Sequence, residues 1–498
     1  MSTTTKLALS ILLAALLFGI TGDVLLRTMP WGLNLLLWVA ALALGLVAVA
    51  QWNNLPLTGG GRWLIGPALL FAALFALRDS IMLNAANLLA ILICLALVAY
   101  RVLRGRVRVA TLTEYAKGTA LAAAFSLFGI VLLVFDDIKW KQIKIGGQAR
   151  HMGAVGTGML IAVPMLLVFG SLLSSADAVF QKMISDLFNW DVHEIFSHTF
   201  WVGFWAWMVG GFLRMTFLYK ETAAKPTTHK GVLGAVEISI VLGSLIALFF
   251  GFVAVQARYL FGGPDVLRSL IKLSFAEYAR RGFFELVTVA ALVLPFLLIL
   301  HWLLKKTDPR SQRVFRYLSG GVIALLFVIM FSALYRMRLY QIEFGLTELR
   351  LYTTAFMGWL AIVFVWFTLT VPHGKSDRFA FGALASALAV LLALNILNPD
   401  NLIVRVNAGR IDAANGFDAS YVVGLSADAV PALITTLPAM QEYDRCTTAA
   451  QIIQRWSPPK KFDPLTWNWD RSQAWQAVNA NWAYLQSVAC PQKNERMD

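Results

Sequence analysis

The chain has 498 residues, of which 58% are hydrophobic and only 14% are charged, and its mean hydropathy is +0.67. Soluble proteins are about 45–50% apolar and about 25% charged, so this composition excludes soluble enzymes and disordered proteins. The formal net charge is +14, but residues 1–397 account for +15 and residues 398–498 for −1. Because the basic residues lie in short loops beside apolar runs, we predict an integral membrane protein that contacts membrane lipid and binds no nucleic acid.

Eleven apolar runs approach or reach the roughly 20 residues that a membrane-spanning helix requires. In chain order they are residues 7–26, 31–50, 63–77, 81–100, 154–173, 200–218, 232–255, 283–304, 317–335, 353–370 and 379–397. A twelfth run covers residues 119–135. The sequence therefore predicts an all-α fold, a polytopic transmembrane helical bundle of 11–12 spans with a small C-terminal helical soluble domain.

The twelfth run is ambiguous because basic stretches flank it, residues 101–118 on one side and 139–150 on the other. If it crosses the membrane, one basic stretch faces outside, against the bias of Lys and Arg toward the cytoplasm. If it is re-entrant or interfacial, both stretches face inside. The Lys and Arg distribution therefore favours eleven crossings, with the N-terminus inside and residues 398–498 outside.

Composition divides the chain into four parts. Residues 1–100 are predicted to form a four-span N-terminal bundle, and residues 101–152 a basic cytoplasmic region that contains the ambiguous run. Residues 153–397 hold the remaining spans, and residues 398–498 form a helical domain that is periplasmic in this topology. The domain carries an apolar stripe at helical spacing, formed by Trp475, Val478, Trp482 and Leu485.

Two charged amphipathic segments supply the candidate polar site. In the first, Glu277, Arg281 and Glu285 stand at i, i+4 and i+8, which places them on one helix face with alternating sign. In the second, residues 336–352, a polar stripe and a leucine-rich stripe both follow the helical period, which is typical of a helix at an interface. The polar stripe includes Arg336, Tyr340, Glu343 and Arg350, and Arg258 lies in a neighbouring outside loop.

These segments have two interpretations. Ionisable groups near a membrane are costly, and they mark either a paired structural network or a functional site. In the functional interpretation the arginines bind an anionic lipid headgroup or a lipid-linked substrate at the outer leaflet, because guanidinium groups suit phosphate. The sequence favours the structural network and leaves the binding site open.

Three other features receive weaker interpretations. His193 and His198 are five residues apart, so they diverge on a helix and lack the spacing of a zinc protease. Asp23 is read as a solvated carboxylate at a helix end rather than a catalytic group. Cys446 and Cys490 are predicted to form a disulfide in an external domain, whereas Cys94 lies within a span. We expect no metal and no cofactor.

From about residue 150 onward, the chain resembles a family of bacterial multi-pass inner-membrane proteins catalogued only as a domain of unknown function. The segments that carry the resemblance are residues 172–180 (LLSSADAVF), 254–263 (AVQARYLFGG), 275–286 (FAEYARRGFFEL), 345–352 (GLTELRLY), 397–410 (LNPDNLIVRVNAGR) and 425–433 (LSADAVPAL). The first four spans lie outside it. The resemblance implies a membrane architecture and no reaction.

The sequence favours a non-enzymatic protein of a bacterial inner membrane. The preferred function is transport-like, or the binding of lipid headgroups or an anionic solute at the outer leaflet. One alternative is an enzyme that acts on lipid-linked substrates at the periplasmic face, and another is an envelope sensor or scaffold. The sequence identifies no protein partner.

Overall fold

A computed structural model describes residues 2–103, 105, 107–140, 192–219, 231–261, 283–305, 308–411, 417–459 and 461–490, with isolated positions between 162 and 182. Within these residues the regular structure is helical, apart from one isolated bridge between Leu233 and Leu304. The prediction of an all-α polytopic bundle is confirmed. The predicted span at residues 154–173 lies outside the continuously described residues.

The long helices of the bundle are α1 (Thr3–Leu26), α2 (Leu33–Trp52), α3 (Ile65–Leu77), α4 (Ile81–Arg101), α5 (Leu112–Leu132), α6 (Val192–Leu218), α7 (Ala235–Phe261), α8 (Phe283–Leu303), α9 (Pro309–Phe344), α10 (Glu348–Thr370) and α11 (Phe379–Leu397). A short 3-10 helix, Gly60–Leu64, leads into α3, and a π-helical turn, Leu133–Asp137, follows α5.

The C-terminal domain consists of shorter helices. They are α12 (Pro399–Ala408), α13 (Ala419–Val423), α14 (Val430–Thr436), α15 (Glu442–Trp456), α16 (Trp469–Ala480) and α17 (Trp482–Val488). The Asn398 side chain caps α12, whose first residue is a proline, and Asn468 caps α16. Proline in the first turn costs no helical hydrogen bond, so these sequences favour helix starts at those points.

The bundle has two ends, which we name by their contents. At the domain end, the C-terminal domain covers the turn between α1 and α2. There Leu33 donates its backbone N–H to the Trp467 carbonyl at 2.8 Å. At the distal end, Thr3, Trp52, Arg101 and other helix termini line one cavity. The helices between these ends therefore alternate in direction, as in a membrane bundle.

Apolar side chains form three cores. The first joins α1–α6 with part of α11, the second joins α7–α10, and the third belongs to the C-terminal domain. Although α6 is distant in sequence, it packs along the length of α1. The third core also takes in Leu351 of α10 and is packed by Leu394 of α11, so the domain rests on helices of the bundle.

The ambiguous run forms α5, and both ends of this segment lie at the distal end. Glu114, in its first turn, pairs with Arg101 at 3.0 Å. Asp137, after its last turn, pairs with Arg214 of α6 at 2.6 Å and lines the same cavity as Arg101. Neither terminus of the segment therefore reaches the domain end, and its re-entrant or interfacial position in a membrane stays a prediction.

Length and composition identify ten described helices that could cross a membrane. That set includes α5, whose ends both lie at the distal end, and it omits the tryptophan-rich α6, which runs between the two ends. Hydropathy measures only the transfer of a segment into lipid. Packing against neighbouring helices decides the path that each segment takes.

Candidate functional site

A group of buried charged side chains lies where the C-terminal domain meets the bundle. Two of its members occupy the short turn between α3 and α4, and the others come from α12, from the turn before α14 and from the first turn of α16. We call it the ionic cluster, and its members are Arg78, Asp79, Asp400, Asp428, Asp470 and Arg471.

Arg78 is the link between the bundle and the domain. Its Nη1 lies 2.8 Å from Oδ2 of Asp470 and 3.5 Å from Oδ1 of Asp428. Its Nε donates to the Asn395 carbonyl of α11 at 2.8 Å. Because Asp428 is 1% exposed and Asp470 is 11% exposed, these charges attract each other with little screening by water.

A second ion pair crosses the same junction in the opposite sense. Arg471, from the domain, pairs with Asp79 of the bundle turn at 3.0 Å. Its Nη2 also donates to the Trp31 carbonyl at 2.7 Å. In return, Oδ2 of Asp428 accepts the backbone N–H of Asp79 at 3.0 Å. The bundle and the C-terminal domain thus each contribute both an acid and a base to the junction.

The carboxyl groups of the cluster compete for hydrogen-bond donors. The Ser426 hydroxyl lies 2.5 Å from Oδ2 of Asp400 and 2.8 Å from Oδ2 of Asp428. A hydroxyl has one hydrogen and donates to one acceptor at a time. One of the two carboxylates therefore lacks this hydrogen bond at any moment.

Burial shifts the ionisation of these groups. It raises the pKa of Asp79 to about 6, and the attraction of Arg471 only partly opposes this effect. Burial also raises the pKa values of Asp400 and Asp470, and the neighbouring Asp428 raises both further. Burial lowers the pKa of Arg471, while Asp79 acts in the opposite direction. The cluster therefore takes up protons at a higher pH than free aspartates do.

Neutral polar side chains support the cluster. Asn87 of α4 and Asn395 of α11 exchange side-chain hydrogen bonds of 3.0 and 2.9 Å. Asn468 donates to the Phe75 and Arg78 carbonyls at the end of α3. Buried amides of this kind satisfy backbone groups that water cannot reach. They hold the ends of α3, α4 and α11 at one level.

The chemistry of the cluster is that of a proton-holding ion network. Within the residues that the structure describes, no group of three or more His, Cys, Asp or Glu side chains has an arrangement that could hold a metal ion. The carboxylates already face two guanidinium groups and several backbone N–H groups. The arrangement can hold the C-terminal domain against the bundle, and its carboxyl groups can bind or release protons.

The second predicted amphipathic segment is not one helix. Gly345 adopts a φ of +76° and ends α9, and α10 begins at Glu348. A side chain at Gly345 would also lie 2.7 Å from Oδ1 of Asn407, which accepts the Leu346 N–H. The predicted continuous stripe over residues 336–352 is therefore wrong, because a left-handed glycine turns the chain between two helices.

The predicted polar residues on either side of this turn make local contacts. Arg350 lies over the Tyr340 ring at 4.1 Å and donates to the Phe344 and Gly345 carbonyls. Arg336 and Glu343 lie on the last turns of α9, and both have interaction partners. The headgroup site stays a prediction, although Arg350 is committed to the C-terminus of α9.

The other predicted site residues are separated from this turn or fall outside the description. Glu285 lies exposed in the first turn of α8. Arg258 lies on α7 with its side chain outside the described atoms, and Glu277 and Arg281 lie outside the described residues. Cys446 and Cys490 have Cα atoms 4.8 Å apart and are joined by a disulfide, whereas Cys94 is buried without one.

Sequence reasoning missed the ionic cluster, although signals for it are present. Arg78, Asp79 and Ser80 form the entire turn between two apolar runs, and Asp470 and Arg471 are adjacent. Asp400 and Asp428 lie inside the segments 397–410 and 425–433, which carry the family resemblance. No spacing rule connects residues that are more than 300 positions apart, so only the fold brings them together.

A smaller constellation lies at the domain end of α1 and α6. The His198 imidazole contacts Asp23 through Nδ1 and Arg27 through Nε2. Since a guanidinium only donates, Nε2 is the acceptor and Nδ1 carries the proton toward Asp23. Asp23 is 5% exposed rather than solvated, because α6 covers it, and its Oδ1 has no hydrogen-bond partner within the described residues. The side chain of His193 is outside the described atoms.

A model of the family described as a domain of unknown function (DUF4153) matches residues 65–436. The chain belongs to this family. The DUF4153 match begins at α3, so the expectation that all four first spans lie outside the family is wrong for α3 and α4. It covers Arg78, Asp79, Asp400 and Asp428 and ends before α16. No curated protein and no solved structure matches the chain.

Proposed function

We propose that this DUF4153 protein is an acidity-responsive envelope sensor or scaffold of a bacterial inner membrane, with its C-terminal domain in the periplasm. The observation that carries the proposal is the ionic cluster, which places four carboxyl groups and two guanidinium groups in the junction between domain and bundle. In this proposal, protonation of the cluster changes how firmly the domain rests on the bundle.

The orientation rests on the distribution of basic residues between the two ends. The distal end carries Lys6, Arg62, Arg101, Arg108, Lys139, Lys305, Arg310, Arg313, Arg316, Lys375 and Arg378. Among the residues that the structure describes, the bundle's domain end carries fewer, namely Arg27, Arg78, Arg258, Arg336, Arg338 and Arg350. An excess of Lys and Arg in short loops favours the cytoplasmic side, so the distal end is assigned to the cytoplasm.

Fusions to alkaline phosphatase test this orientation. The enzyme matures only in the periplasm, so a fusion after Asp498 is expected to be active and a fusion at Pro309 inactive. Expression of both fusions is measured by immunoblot, so that an inactive fusion is not an absent one. The opposite pattern would contradict the orientation and would place the ionic cluster on the cytoplasmic side.

The direction of the response follows from the pKa shifts. Burial raises the pKa of Asp79 to about 6, so the docked state prefers the protonated carboxyl. Stability from this group is fully present below its unfolded pKa and is lost as the pH rises through its folded pKa. Asp79 faces Arg471, Asp428 and Arg455. We therefore expect firmer docking at pH 5 than at pH 7.5.

The test is a distance measurement across the junction. Met29 of the bundle and Tyr443 of the domain are 72% and 77% exposed, so each accepts a cysteine-linked spin label. Electron–electron resonance on the labelled protein in nanodiscs is expected to give a narrow distance distribution at pH 5 and a broader one at pH 7.5. The same labels with Asp79→Asn are expected to show a smaller pH response, because only the raised pKa values of Asp400 and Asp470 then remain.

A matched control uses an aspartate away from the cluster. Asp444 lies in the first turn of α15, and its substitution by Asn should leave the pH response of the wild type intact. Equal distributions at both pH values in the wild type would exclude the sensing function. A response of undiminished size in Asp79→Asn would show that another group controls the junction.

An enzyme acting on lipid-linked substrates at the periplasmic face is the second candidate. It is supported by the Asp23–His198 contact and by Oδ1 of Asp23, which has no hydrogen-bond partner within the described part of the chain. A buried carboxylate beside an imidazole is a common acid–base arrangement. In this case Asp23→Asn would abolish turnover of an added lipid-linked substrate with melting unchanged, whereas Asp79→Asn would not.

A further inference from the structure

The last turns of α9 extend beyond the length of helix that a hydrocarbon layer contains. At the distal end, Arg316 of α9 donates through Nε to the Pro372 carbonyl at 3.1 Å, so a basic side chain marks the level at which the α9–α10 pair begins. A hydrocarbon layer of about 30 Å takes about 20 helical residues. Counted from Arg316, that length ends near residue 336, whereas α9 continues to Phe344. Residues 337–344 therefore lie at the level of lipid headgroups.

One exposed face of α9 continues through this boundary. Phe331, Tyr335, Arg338 and Ile342 are spaced 4, 3 and 4 residues apart, which places them on the same helix face. All four side chains are exposed, and Ile342 is still 59% exposed. A tyrosine followed by an arginine is typical of a helix that leaves the hydrocarbon layer. The face that carries Phe331 in the apolar span thus reaches the headgroup level at Ile342.

The end of α12 lies beside these turns and exposes the same residue types. Arg410, which follows α12, donates through Nη1 to the Gln341 carbonyl at 3.1 Å. The preceding turn of α12 exposes Arg405 and Val406. Because the apolar helix α11 ends at Leu397 and α12 begins two residues later, α12 starts where the hydrocarbon layer ends. Two helices thus present an arginine beside an apolar side chain at one level.

The donors of these two arginines are available. Within the described part of the chain, the guanidinium groups of Arg338 and Arg405 make no ion pair, hydrogen bond or ring contact. By contrast, Arg350 donates to the Gly345 carbonyl, and Glu343 has a partner. Glu343 also lies five residues from Arg338, roughly 140° around the helix. An anion beside Arg338 is therefore not opposed by a carboxylate on the same face of α9.

We propose that Arg338, Ile342, Arg405 and Val406 form a lipid-binding surface, the leaflet surface, whose partner is a leaflet of anionic phospholipid. The guanidinium groups bind headgroup phosphates, and the two apolar side chains insert beneath the headgroups. None of the four belongs to the polar site that the sequence predicts. The leaflet surface holds α9 and α12 at one depth, and it requires neither the acidity response nor the orientation proposed above.

Quenching by brominated lipid tests the insertion. A cysteine introduced at Ile342 or at Val406 carries a bimane, because Cys94 is buried and the other two cysteines form a disulfide. The full-length protein is placed in nanodiscs whose acyl chains carry bromine close to the glycerol. Bimane at Phe331, on the same face within the span, and at Tyr443, exposed on the C-terminal domain, gives the two reference values. Quenching at both test sites is expected to approach the first reference and to exceed the second.

The charge requirement is tested in nanodiscs that mix phosphatidylcholine with phosphatidylglycerol, with bromine on only one of the two lipids. Bimane at Ile342 is expected to be quenched more strongly when the phosphatidylglycerol is brominated. Arg338→Gln and Arg405→Gln should each reduce this preference by up to about fivefold, because a basic residue near an anionic surface contributes about 1 kcal/mol. Lys461→Gln changes an exposed basic residue of the domain outside the leaflet surface and should leave the preference unchanged.

Quenching at the two test sites that is no stronger than at Tyr443 would overturn the proposal. Quenching without a preference for phosphatidylglycerol would overturn it as well, and so would a preference that persists when Arg338→Gln and Arg405→Gln are combined. An equal loss in Lys461→Gln would indicate general surface attraction and would also overturn it. Unchanged melting verifies that the variants are folded. Since nanodiscs expose both leaflets, these results are independent of the phosphatase fusions and of the distance measurements.

Discussion

The two ends of the bundle use the same charged residue types in different ways. At the domain end, acids and arginines are enclosed between two bodies, and Asp428 is 1% exposed. At the distal end, the Arg101–Glu114 pair includes a carboxylate that is 39% exposed. Removing one partner of a buried pair costs about 3–5 kcal/mol, whereas an exposed pair contributes about 0–1 kcal/mol. Burial, rather than the number of charges, determines which end holds the fold together.

The largest expected effect is at the domain end. Arg78→Ala removes the base that faces both Asp428 and Asp470 and the donor to the Asn395 carbonyl. We expect a loss of about 3–5 kcal/mol in unfolding free energy, because buried acids are left without their partner. Thermal and urea unfolding in detergent measure it. Arg62→Ala, at the distal end, serves as the control and should change stability by less than about 1 kcal/mol.

The next effect is a pH dependence of stability. Ionisation of Asp79 is opposed by burial in the folded state, since its pKa is raised from 3.8 to about 6. The contribution of Asp79 to stability should therefore fall as the pH rises from about 4 to about 6, by up to about 3 kcal/mol, and should level off above that range. Asp79→Asn should flatten this part of the curve. An unfolding free energy of the wild type that rises between about pH 4 and about pH 6 would contradict the predicted direction.

A steric change at the junction is expected to have a smaller effect. Gly32 lies so close to the C-terminal domain that a Cβ atom would be 2.2 Å from the Trp467 carbonyl oxygen. Gly32→Ala should displace that segment and cost about 1–3 kcal/mol, as overpacking does. The rate of trypsin cleavage within the domain should rise as well. Gly66→Ala is the matched control, because nothing lies within 4 Å of its Cβ position.

The smallest effect is expected at the distal end. Glu114 completes the capping box of α5 with Thr111 and pairs with Arg101. Glu114→Ala should cost about 0.5–1 kcal/mol, because the group is partly exposed and water screens the pair. Hydrogen exchange should accelerate in the first turn of α5 and remain unchanged around Arg78. An effect as large as that of Arg78→Ala would remove the distinction between the two ends.

The sequence predicted the helices better than their arrangement. Apolar runs located ten of the eleven predicted spans within described helices, because a backbone in lipid must satisfy its own hydrogen bonds. The sequence pattern did not predict that α6 packs along α1, or that Gly345 divides the second charged segment. Both depend on contacts between residues that are distant in sequence.

The candidate site was less predictable than the fold. A pattern-based search considers residues that share a helix face, which led to the charged residues on both sides of Gly345. The ionic cluster instead collects short polar turns at the ends of α3, α11 and the domain helices. Each turn taken alone, such as that of Arg78 and Asp79, has the composition of an ordinary exposed loop. Nothing in the local sequence distinguishes an exposed turn from a turn that the C-terminal domain covers.

By itself, the sequence determined the membrane class, the helical content and the C-terminal helical domain, because these follow from local hydrophobicity and helical periodicity. Only the tertiary structure decided which charges are buried. Arg78 and Asp470 lie 392 residues apart, and they meet because the domain packs onto the ends of α3 and α11. The free energy of a charge depends on its distance from water and from its counter-charge, and both are properties of the packed chain.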